Sequence, residues 1–380
     1  MTRLRDLQLR IGELDPGPLN AITDVRGVRV GHTTLVAGDG ALEVGKGPVR
    51  TGVTVVFPRA EPPWSAPVFA GIHRLNGNGE LTGTHWVKES GILTSAVGLT
   101  NTHSVGVVRD ALVKVDQRQR GQDADFWALP VVGETWDGFL SDINGGHVTA
   151  EHVFAAVDAA SSGGVAEGGV GGGTGMICHQ FKGGIGTSSR VLAEANGGWH
   201  VGVLVQANHG RRSRLSLNGL PIGSVITDDV VPVPQMPQRF ASLRSAGANI
   251  PEGSGSIIVV VATDAPLIPT QCERLAQRAG LGIARVGGVG ENYSGDIVLA
   301  FSTGNDVPVH DPLPHPHQVQ ISMVPNHWIS SLFDAVIEAT EEAIWNAILA
   351  AETMTGRDGI TAHGLEPDVL LDAVARLSRP

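Results

Sequence analysis

The sequence is poor in the features that define several large protein classes. Its 380 residues include only two cysteines, Cys178 and Cys272, which leaves no basis for a disulfide framework or a cysteine-based zinc site. Acidic residues outnumber basic ones, 38 to 27, and Lys and Arg form no cluster, which argues against a nucleic-acid partner. No apolar run approaches the roughly 20 residues that cross a bilayer, and the N-terminus lacks the apolar core of a signal peptide. We therefore expect a cytoplasmic protein with no membrane partner.

Glycine, in contrast, is abundant. There are 51 glycines among the 380 residues, about twice the usual share of roughly 7 %. Many lie between Gly163 and Gly186, interleaved with Met176, Ile185 and other apolar residues, so this segment should be buried and closely packed. Because 42 % of the chain is hydrophobic, the protein can bury a large core, and intrinsic disorder is excluded as a class.

Short runs rich in Val and Ile, bounded by Gly or Pro, predict strands. Several of these runs are apolar at consecutive positions, which is typical of strands covered on both faces. The predicted strands comprise residues 28–30, 51–57, 68–70, 92–98, 199–205, 256–262, 296–302 and 319–323.

Four helical periods lie between these runs. Ser104 and Thr149 are suitable N-caps for the first two. The third begins near Pro269 and is expected to stop at Gly280, and the fourth runs from about residue 328 to 354. Three acidic residues of the fourth helix should lie mostly off its apolar face: Glu338, Glu341 and Glu342. The irregular alternation of strands and helices favours sheets packed together with helices outside, rather than a regular barrel.

The glycine-rich segment does not match the common nucleotide-binding motifs. Residues 168–175 supply neither G-x-G-x-x-G nor G-x-x-x-x-G-K-[ST]. There is also no H-E-x-x-H, and no G-x-S-x-G that opens a helix. The loop at residues 310–317 carries three histidines, but histidines spaced by proline on a loop are usually solvated rather than metal-bound. We therefore favour neither a nucleotide nor a metal cofactor.

The junction between Gly255 and Ser256 is the most informative place in the sequence. A turn-prone Gly-Ser-Gly approach ends there, and Ser256 begins the most apolar strand. The Ser256 hydroxyl could attack the carbonyl of Gly255, where glycine offers no side-chain obstruction. The cut would free the α-amine of Ser256, whose reference pKa of roughly 7.7–8.0 suits a base for its own hydroxyl. Taken alone, the same residues also fit an ordinary loop before a strand.

A series of motifs along nearly the whole chain resembles one enzyme family. They comprise residues 21–32 (AITDVRGVRVGH), 76–83 (NGNGELTG), 100–106 (TNTHSVG), 142–145 (DING), the glycine-rich 171–186, 205–208 (VQAN), 255–266 and 353–359 (TMTGRDG). In this order they are similar to the self-processing aminopeptidases, which include L-aminopeptidase D-amidase/D-esterase and the β-peptidyl aminopeptidases. More distant members hydrolyse nylon oligomers or pantetheine amides.

This resemblance implies an α+β fold in which two β-sheets lie between helical layers. The expected four-layer α/β/β/α sandwich resembles the N-terminal-nucleophile hydrolases but has different strand connectivity. Residues 1–380 would form a single catalytic domain, cut between Gly255 and Ser256 into chains 1–255 and 256–380. The chains would stay associated in a homo-oligomer, with a tetramer of such αβ units expected. The resemblance implies no metal and no organic cofactor.

The resemblance also assigns roles to residues around the cut. Ser256 matches the nucleophile, and Ser294 and Asp296 match two residues that steer its amine and hydroxyl. Some relatives carry Glu at the position of Asp296, so its shorter side chain should need a water or a shifted strand. Asn208 matches a side-chain amide that helps to form the oxyanion hole.

Two further residues match substrate-binding positions. Glu134 matches the acid that holds the free amine of the substrate, a charge-assisted contact that an aminopeptidase needs. Trp136 departs from the family, which has Tyr here in the branch acting on L-amino acids and an aliphatic residue in the β-peptide branch. Its indole offers only an N–H, and the single tyrosine, Tyr293, lies elsewhere. The choice between α- and β-amino acid substrates is therefore open.

We interpret the chain as a serine aminopeptidase or amidase that removes an N-terminal amino acid from short peptides, amides or esters. Two alternatives stay open. One is an amidase of the same family that acts on a non-peptide amide and has no need of Glu134. The other is a non-catalytic scaffold that kept the fold.

Overall fold

The computed structural model describes residues 2–122, 125–235, 255–307 and 318–378. Two segments considered above lie outside these ranges: the histidine-containing loop at residues 310–317 and the approach to the junction at residues 252–254.

A sheet of four strands forms one β layer. Its strands, numbered in chain order, are β1 Arg29–Ala37, β2 Val49–Phe57, β5 Val97–Asn101 and β6 Val131–Thr135, arranged β1-β2-β5-β6. Neighbouring strands are antiparallel except β5 and β6, which run parallel. Every residue of β2, β5 and β6 is buried, as expected for strands covered on both faces.

A sheet of six strands forms the second β layer. It contains β3 Val68–Gly77, β4 Ile92–Leu93, β9 Gly184–Val191, β10 His200–Asn208, β11 Ser256–Thr263 and β12 Gly295–Ser302, arranged β4-β3-β12-β11-β10-β9. The central strands β11 and β12 are parallel, and the other pairs are antiparallel. Two short hairpins lie outside the sheets: β7 Ile177–Cys178 with β8 Phe181–Lys182, and β13 Met354–Thr355 with β14 Thr361–Ala362.

Helices supply the two outer layers. The described helices are α1 Thr84–Ser90, α2 Val105–Arg120, α3 Ala150–Asp158, α4 Pro269–Val286, α5 Ser330–Leu349 and α6 Pro367–Leu377. Helices α2 and α3 begin directly after Ser104 and Thr149, which confirms both predicted starts. None of the helices in the described ranges is both long enough and apolar enough to span a bilayer.

Three hydrophobic clusters separate the four layers. Val53 and Val108 belong to the cluster between the four-stranded sheet and helices α2 and α3. Leu99 and Leu299 belong to the cluster between the two sheets. Residues of β10 and β11 join those of α4 and α5 in the third cluster. The layer order confirms the predicted α/β/β/α sandwich.

The predicted strand at residues 92–98 is wrong, because two strands of different sheets replace it. Ile92 and Leu93 pair at the edge of the six-stranded sheet, whereas Val97 begins β5 in the four-stranded sheet. Between them, the buried hydroxyl of Ser95 accepts a hydrogen bond from the backbone N–H of Val131 at 3.1 Å. This contact satisfies a buried donor where the chain crosses from one sheet to the other.

The predicted strand at residues 319–323 is also wrong. Its apolar residues Val319, Ile321 and Met323 are 45 %, 48 % and 49 % exposed. The backbone N–H and carbonyl of Ser322 bond instead to the side-chain amide of Asn305, at 2.8 and 3.0 Å. A side chain therefore satisfies backbone groups that a neighbouring strand would otherwise have bonded.

Helix α4 does not stop at Gly280 as predicted. It continues to Val286 and ends at Gly287, whose φ is +105°. One of the glycines inside it serves helix packing instead: a Cβ on Gly282 would lie only 2.6 Å from Cβ of Thr340 on α5.

The prediction that the acidic residues of α5 avoid the core is wrong. Glu338, Glu341 and Glu342 are all buried. Arg190 of β9 lies 2.9 Å from both Glu338 and Glu342, and Arg285 lies 2.9 Å from Glu341. These buried carboxylates persist because the buried Arg190 and the exposed Arg285 compensate their charge.

Candidate active site

Ser256 is the first residue of the central strand β11. The strand register places it opposite Asn208 of β10 on one side and Gly295 of β12 on the other. Its side-chain Oγ accepts a hydrogen bond from the backbone N–H of Gly295 at 3.1 Å. The apolar residues that follow lie in the core between the layers, so they hold Ser256 rigidly where the strand begins.

The residue before Ser256 must be glycine. A Cβ on Gly255 would lie 1.8 Å from the carbonyl oxygen of Asn208, a distance that no side chain tolerates. The end of β10 therefore packs directly against the backbone of Gly255. The carbonyl that Ser256 would attack is thus held by a close approach of two backbones.

Ser294 and Asp296 form a buried hydrogen-bonded pair beside Ser256. The Ser294 hydroxyl donates to Oδ1 of Asp296 at 2.5 Å, so the shorter Asp side chain reaches it directly. Asp296 is aligned with Ile257 in the parallel pairing of β11 and β12. The pairing of β12 with β3 is irregular just after Asp296.

Burial raises the pKa of Asp296 to about 6, although hydrogen bonds from the Ser294 hydroxyl and the Ile257 backbone favour the ionised form. The negative charge of nearby Glu291 adds to the rise. Asp296 therefore titrates close to neutral pH, where an acid–base group of a hydrolase is useful.

Asn208 is the last residue of β10, and its side-chain amide is held at both ends. Its Oδ1 accepts a hydrogen bond from the backbone N–H of Ile177 at 2.8 Å, and its Nδ2 donates to the carbonyl of Trp136 at 3.0 Å. An amide nitrogen carries two hydrogens. Within the described residues, one of these hydrogens bonds to the carbonyl of Trp136.

Glu134 lies in β6 of the four-stranded sheet. It is 3 % exposed. Its Oε1 accepts from the backbone N–H of Glu80 at 3.0 Å, and its Oε2 accepts a hydrogen bond from the Thr102 hydroxyl. Burial raises the pKa of Glu134, and these two hydrogen bonds oppose the rise.

Gly79 lies between Glu134 and the backbone partner of Ser256. A Cβ on Gly79 would lie 3.1 Å from Oε1 of Glu134 and 2.9 Å from Cα of Gly295. Gly295 is the residue whose N–H bonds to Ser256 Oγ. Glu134 and Ser256 therefore border one small region, with the bare backbone of Gly79 between them.

Trp136 joins the site through its backbone. Its carbonyl accepts the hydrogen bond from Asn208, while its half-buried indole meets the ring of Phe139 edge-on, with centroids 4.5 Å apart. Trp136 therefore helps to orient the side-chain amide of Asn208, a contact that the sequence did not suggest.

The structure adds residues that the sequence reasoning did not assign. Thr102, which holds Glu134, lies in the motif at residues 100–106, the only signal that could have singled it out. Asp137 is fully buried and accepts a hydrogen bond from Asn101 at 3.0 Å, and burial raises its pKa to about 7. A cleft opens next to the Ser294–Asp296 pair. It is lined by His209, Gly210, Arg211, residues 287–291, Ser294 and Asp296.

Comparison with known proteins decides the family. The model of peptidase family S58 matches residues 20–362. The chain belongs to peptidase family S58. This S58 peptidase is 46 % identical to the β-peptidyl aminopeptidase BapA of Sphingosinicella microcystinivorans over 99 % of its own length and 92 % of the relative's.

Solved structures agree with this assignment. A β-aminopeptidase from a Burkholderia species superposes with a TM-score of 0.89 at 51 % identity, with both chains covered completely. The L-aminopeptidase D-Ala-esterase/amidase of Ochrobactrum anthropi, described as a new variant of the N-terminal-nucleophile hydrolase fold, gives a TM-score of 0.85 at 41 % identity over both complete chains. The predicted family, the fold class and the aminopeptidase type of enzyme are confirmed.

Proposed function

We propose that this S58 peptidase is a self-activating aminopeptidase whose nucleophile is Ser256. One observation carries the proposal: Ser256 begins a rigid central strand, directly after a glycine that no other residue could replace. Asn208 flanks it on one side, and the Ser294–Asp296 pair flanks it on the other.

Activation would cut the bond between Gly255 and Ser256. The Ser256 hydroxyl attacks the Gly255 carbonyl, and collapse of the tetrahedral species moves the acyl group from nitrogen to oxygen. Water then hydrolyses the ester, which leaves a carboxylate on Gly255 and a free α-amine on Ser256. The products are chains 1–255 and 256–380.

Catalysis would use the groups that the cut releases. The α-amine of Ser256 takes the proton from its own hydroxyl, which attacks the substrate carbonyl. The second N–H of the Asn208 amide, together with backbone N–H groups, stabilises the oxyanion. Ser294 and Asp296 lie where they can orient the new α-amine. Water then releases the N-terminal residue from the acyl-enzyme.

Substrate selection would depend on the amine of the incoming residue. Glu134 supplies a buried carboxylate across Gly79 from the nucleophile, and an ammonium would form a charge-assisted contact with it. A β-peptidyl aminopeptidase and a β-aminopeptidase are 46 % and 51 % identical to this chain, against 41 % for the L-aminopeptidase. We therefore propose N-terminal β-amino acid residues as the preferred substrates.

A denaturing gel of the purified protein tests the nucleophile. The wild-type chain is expected to give two bands, corresponding to residues 1–255 and 256–380. Ser256→Ala should give one full-length band and no hydrolysis of aminoacyl amides, because it removes the attacking hydroxyl. The neighbouring Ser254→Ala is the matched control and should be cut like the wild type. Two bands from Ser256→Ala would contradict the proposal.

A further inference from the structure

A second group of reactive side chains lies behind Asn208 and takes no part in the proposed hydrolysis. One ligand atom each from Cys178, His179 and His209 lies within 4.8 Å of the other two, and all three residues are buried. Sγ of Cys178 lies 3.8 Å from Nδ1 of His209. A thiol and two imidazoles are the ligand types that soft transition metals select.

The ring of His179 is fixed with a lone pair available. Its Nδ1 lies 3.0 Å from the carbonyl oxygen of Arg211, and a carbonyl can only accept, so Nδ1 carries the proton. Within the described part of the chain, Nε2 has no hydrogen-bond partner although it is fully buried. A histidine that donates one ring N–H to a backbone carbonyl and offers the other nitrogen is typical of metal ligands.

The backbone holds His179 in an unusual conformation. His179 and Gln180 form the two-residue turn of the β7–β8 hairpin, with φ values of +47° and +63°. Such turns favour Asn-Gly or Gly-Gly, so two larger residues there carry strain that the surrounding structure maintains. The N–H of His179 also donates to the carbonyl of His209 at 2.7 Å, which ties the hairpin to the end of β10.

We propose that Cys178, His179 and His209 form a binding site for one copper(I) ion. The ion would bond to Sγ, to Nε2 of His179 and to a ring nitrogen of His209. The thiol proton leaves to solvent as the sulfur–copper bond forms. His209 also lines the cleft next to Asp296, which provides a path for the ion.

Positive charges near the three ligands favour copper(I) over zinc(II). The fully buried amine of Lys182 donates to the carbonyls of Met176 and Gly183 at 3.0 and 2.7 Å and acts electrostatically on Cys178. Burial lowers its pKa to about 7, so it carries part of a positive charge at neutral pH. Arg212 acts in the same way on His179. Copper(I) with one thiolate is neutral, whereas zinc(II) with one thiolate would leave a buried positive charge beside these cations.

Competition with a coloured copper(I) chelator, under anaerobic reducing conditions, tests the site on the whole protein. The wild type should remove one equivalent of copper(I) per chain from the chelator. Cys178→Ser should bind at least about 100-fold more weakly, because soft thiolate selects copper(I). Cys272→Ser removes the other buried thiol and should match the wild type. Equal losses in both variants, or no loss in Cys178→Ser, would overturn the proposal.

Two measurements on the wild-type protein make the test independent of how the variants fold. X-ray absorption of the copper-loaded protein should show one sulfur and two nitrogen ligands, and a shell of oxygen and nitrogen alone would refute the site. Zinc(II) alone should bind at least about 100-fold more weakly than copper(I), since the uncompensated charge costs about 3 kcal/mol or more. Zinc binding as tight as copper binding would contradict the assignment to copper(I).

Discussion

The carboxyl of Asp296 is buried next to the Ser294 hydroxyl, and burial raises its pKa to about 6. In an unfolded chain an Asp ionises near about 3.9. Between these two pKa values the folded protein keeps a proton that the unfolded chain has released, so stability falls as pH rises. Above about pH 6 the ionised side chain destabilises the fold by up to about 3 kcal/mol.

Asp296→Asn is expected to stabilise the protein at about pH 8 by up to about 3 kcal/mol. It should change stability little at about pH 4, where the carboxyl of the folded wild type is protonated and therefore uncharged, like the amide. The new amide can accept from Ile257 and donate to Ser294. Urea unfolding at the two pH values measures the difference. The same variant should lose activity, because a neutral amide cannot hold the α-amine as a carboxylate does. An equal change in stability at both pH values would contradict this assignment.

Glu134 permits a second prediction, about substrates. Glu134→Gln keeps the size of the side chain but removes its charge and replaces one acceptor oxygen with an NH2 donor, from which the Thr102 hydroxyl can accept. On a panel of β-, α-L- and α-D-aminoacyl amides, the wild type should favour the β-aminoacyl members. The variant should lose roughly 10- to 150-fold in kcat/KM on every member that it hydrolyses, the usual value of a hydrogen bond to a charged group. Full activity of the variant would favour the alternative of a non-peptide amidase.

At the scale of elements, helix α4 shows how glycine can mislead. Gly280 and Gly282 both lie in the helix interior, where glycine usually costs about 0.5–1 kcal/mol relative to alanine. Gly282 faces α5 closely, whereas a Cβ on Gly280 would meet only Leu75, at an ordinary distance of 3.7 Å. Gly280, the predicted helix stop, is therefore under little structural constraint. Gly282 is required instead by the contact between the two helices.

Matched alanine variants separate these two glycines. Gly282→Ala should destabilise the protein by about 1–3 kcal/mol, because the added methyl group would force α4 away from Thr340. Gly280→Ala should be neutral or stabilise it by up to about 1 kcal/mol. Thermal unfolding of both variants measures the order. The opposite order would show that α4 and α5 do not pack in this way.

The elements differ in how far sequence patterns could predict them. Runs such as residues 256–262 were recognised because burial on both faces requires consecutive apolar residues. Residues 92–98 were misread since a strand pattern does not show which sheet it joins. The strand Gly184–Val191 was missed because its Gly, Ser and Thr residues lack an apolar pattern, and contacts with β10 and α5 specify it instead.

At the scale of the whole molecule, the proposed cut divides a sheet. Strands β11 and β12 belong to the segment after Ser256, yet they lie between β3 and β10 of the segment before it. The hydrogen bonds of β10 with β11 and of β12 with β3 therefore join the two chains. Neither chain could leave without opening the central sheet and exposing its core.

The cut chains are accordingly expected to behave as one folded unit. They should co-elute on size exclusion in native buffer and unfold in a single cooperative transition, although a denaturing gel separates them. Light scattering on the same column measures the number of units and tests the tetramer of αβ units that we propose from the family resemblance. Elution of a free 1–255 chain from the native column would contradict the topology.

The sequence by itself determined the family, the layered α+β architecture and the serine at the junction. Consecutive apolar residues and ordered motifs are local patterns, and a chain carries them whether or not it is folded. Only the tertiary structure decided that Thr102 and the backbone of Glu80 bond to Glu134. It also decided that Arg190 pairs with acidic residues of α5 in the core, and that Cys178 lies next to two histidines. Apart from the neighbours Cys178 and His179, these contacts join residues far apart in the chain. Their free energies depend on burial and on neighbouring charge, which exist only once the chain has folded.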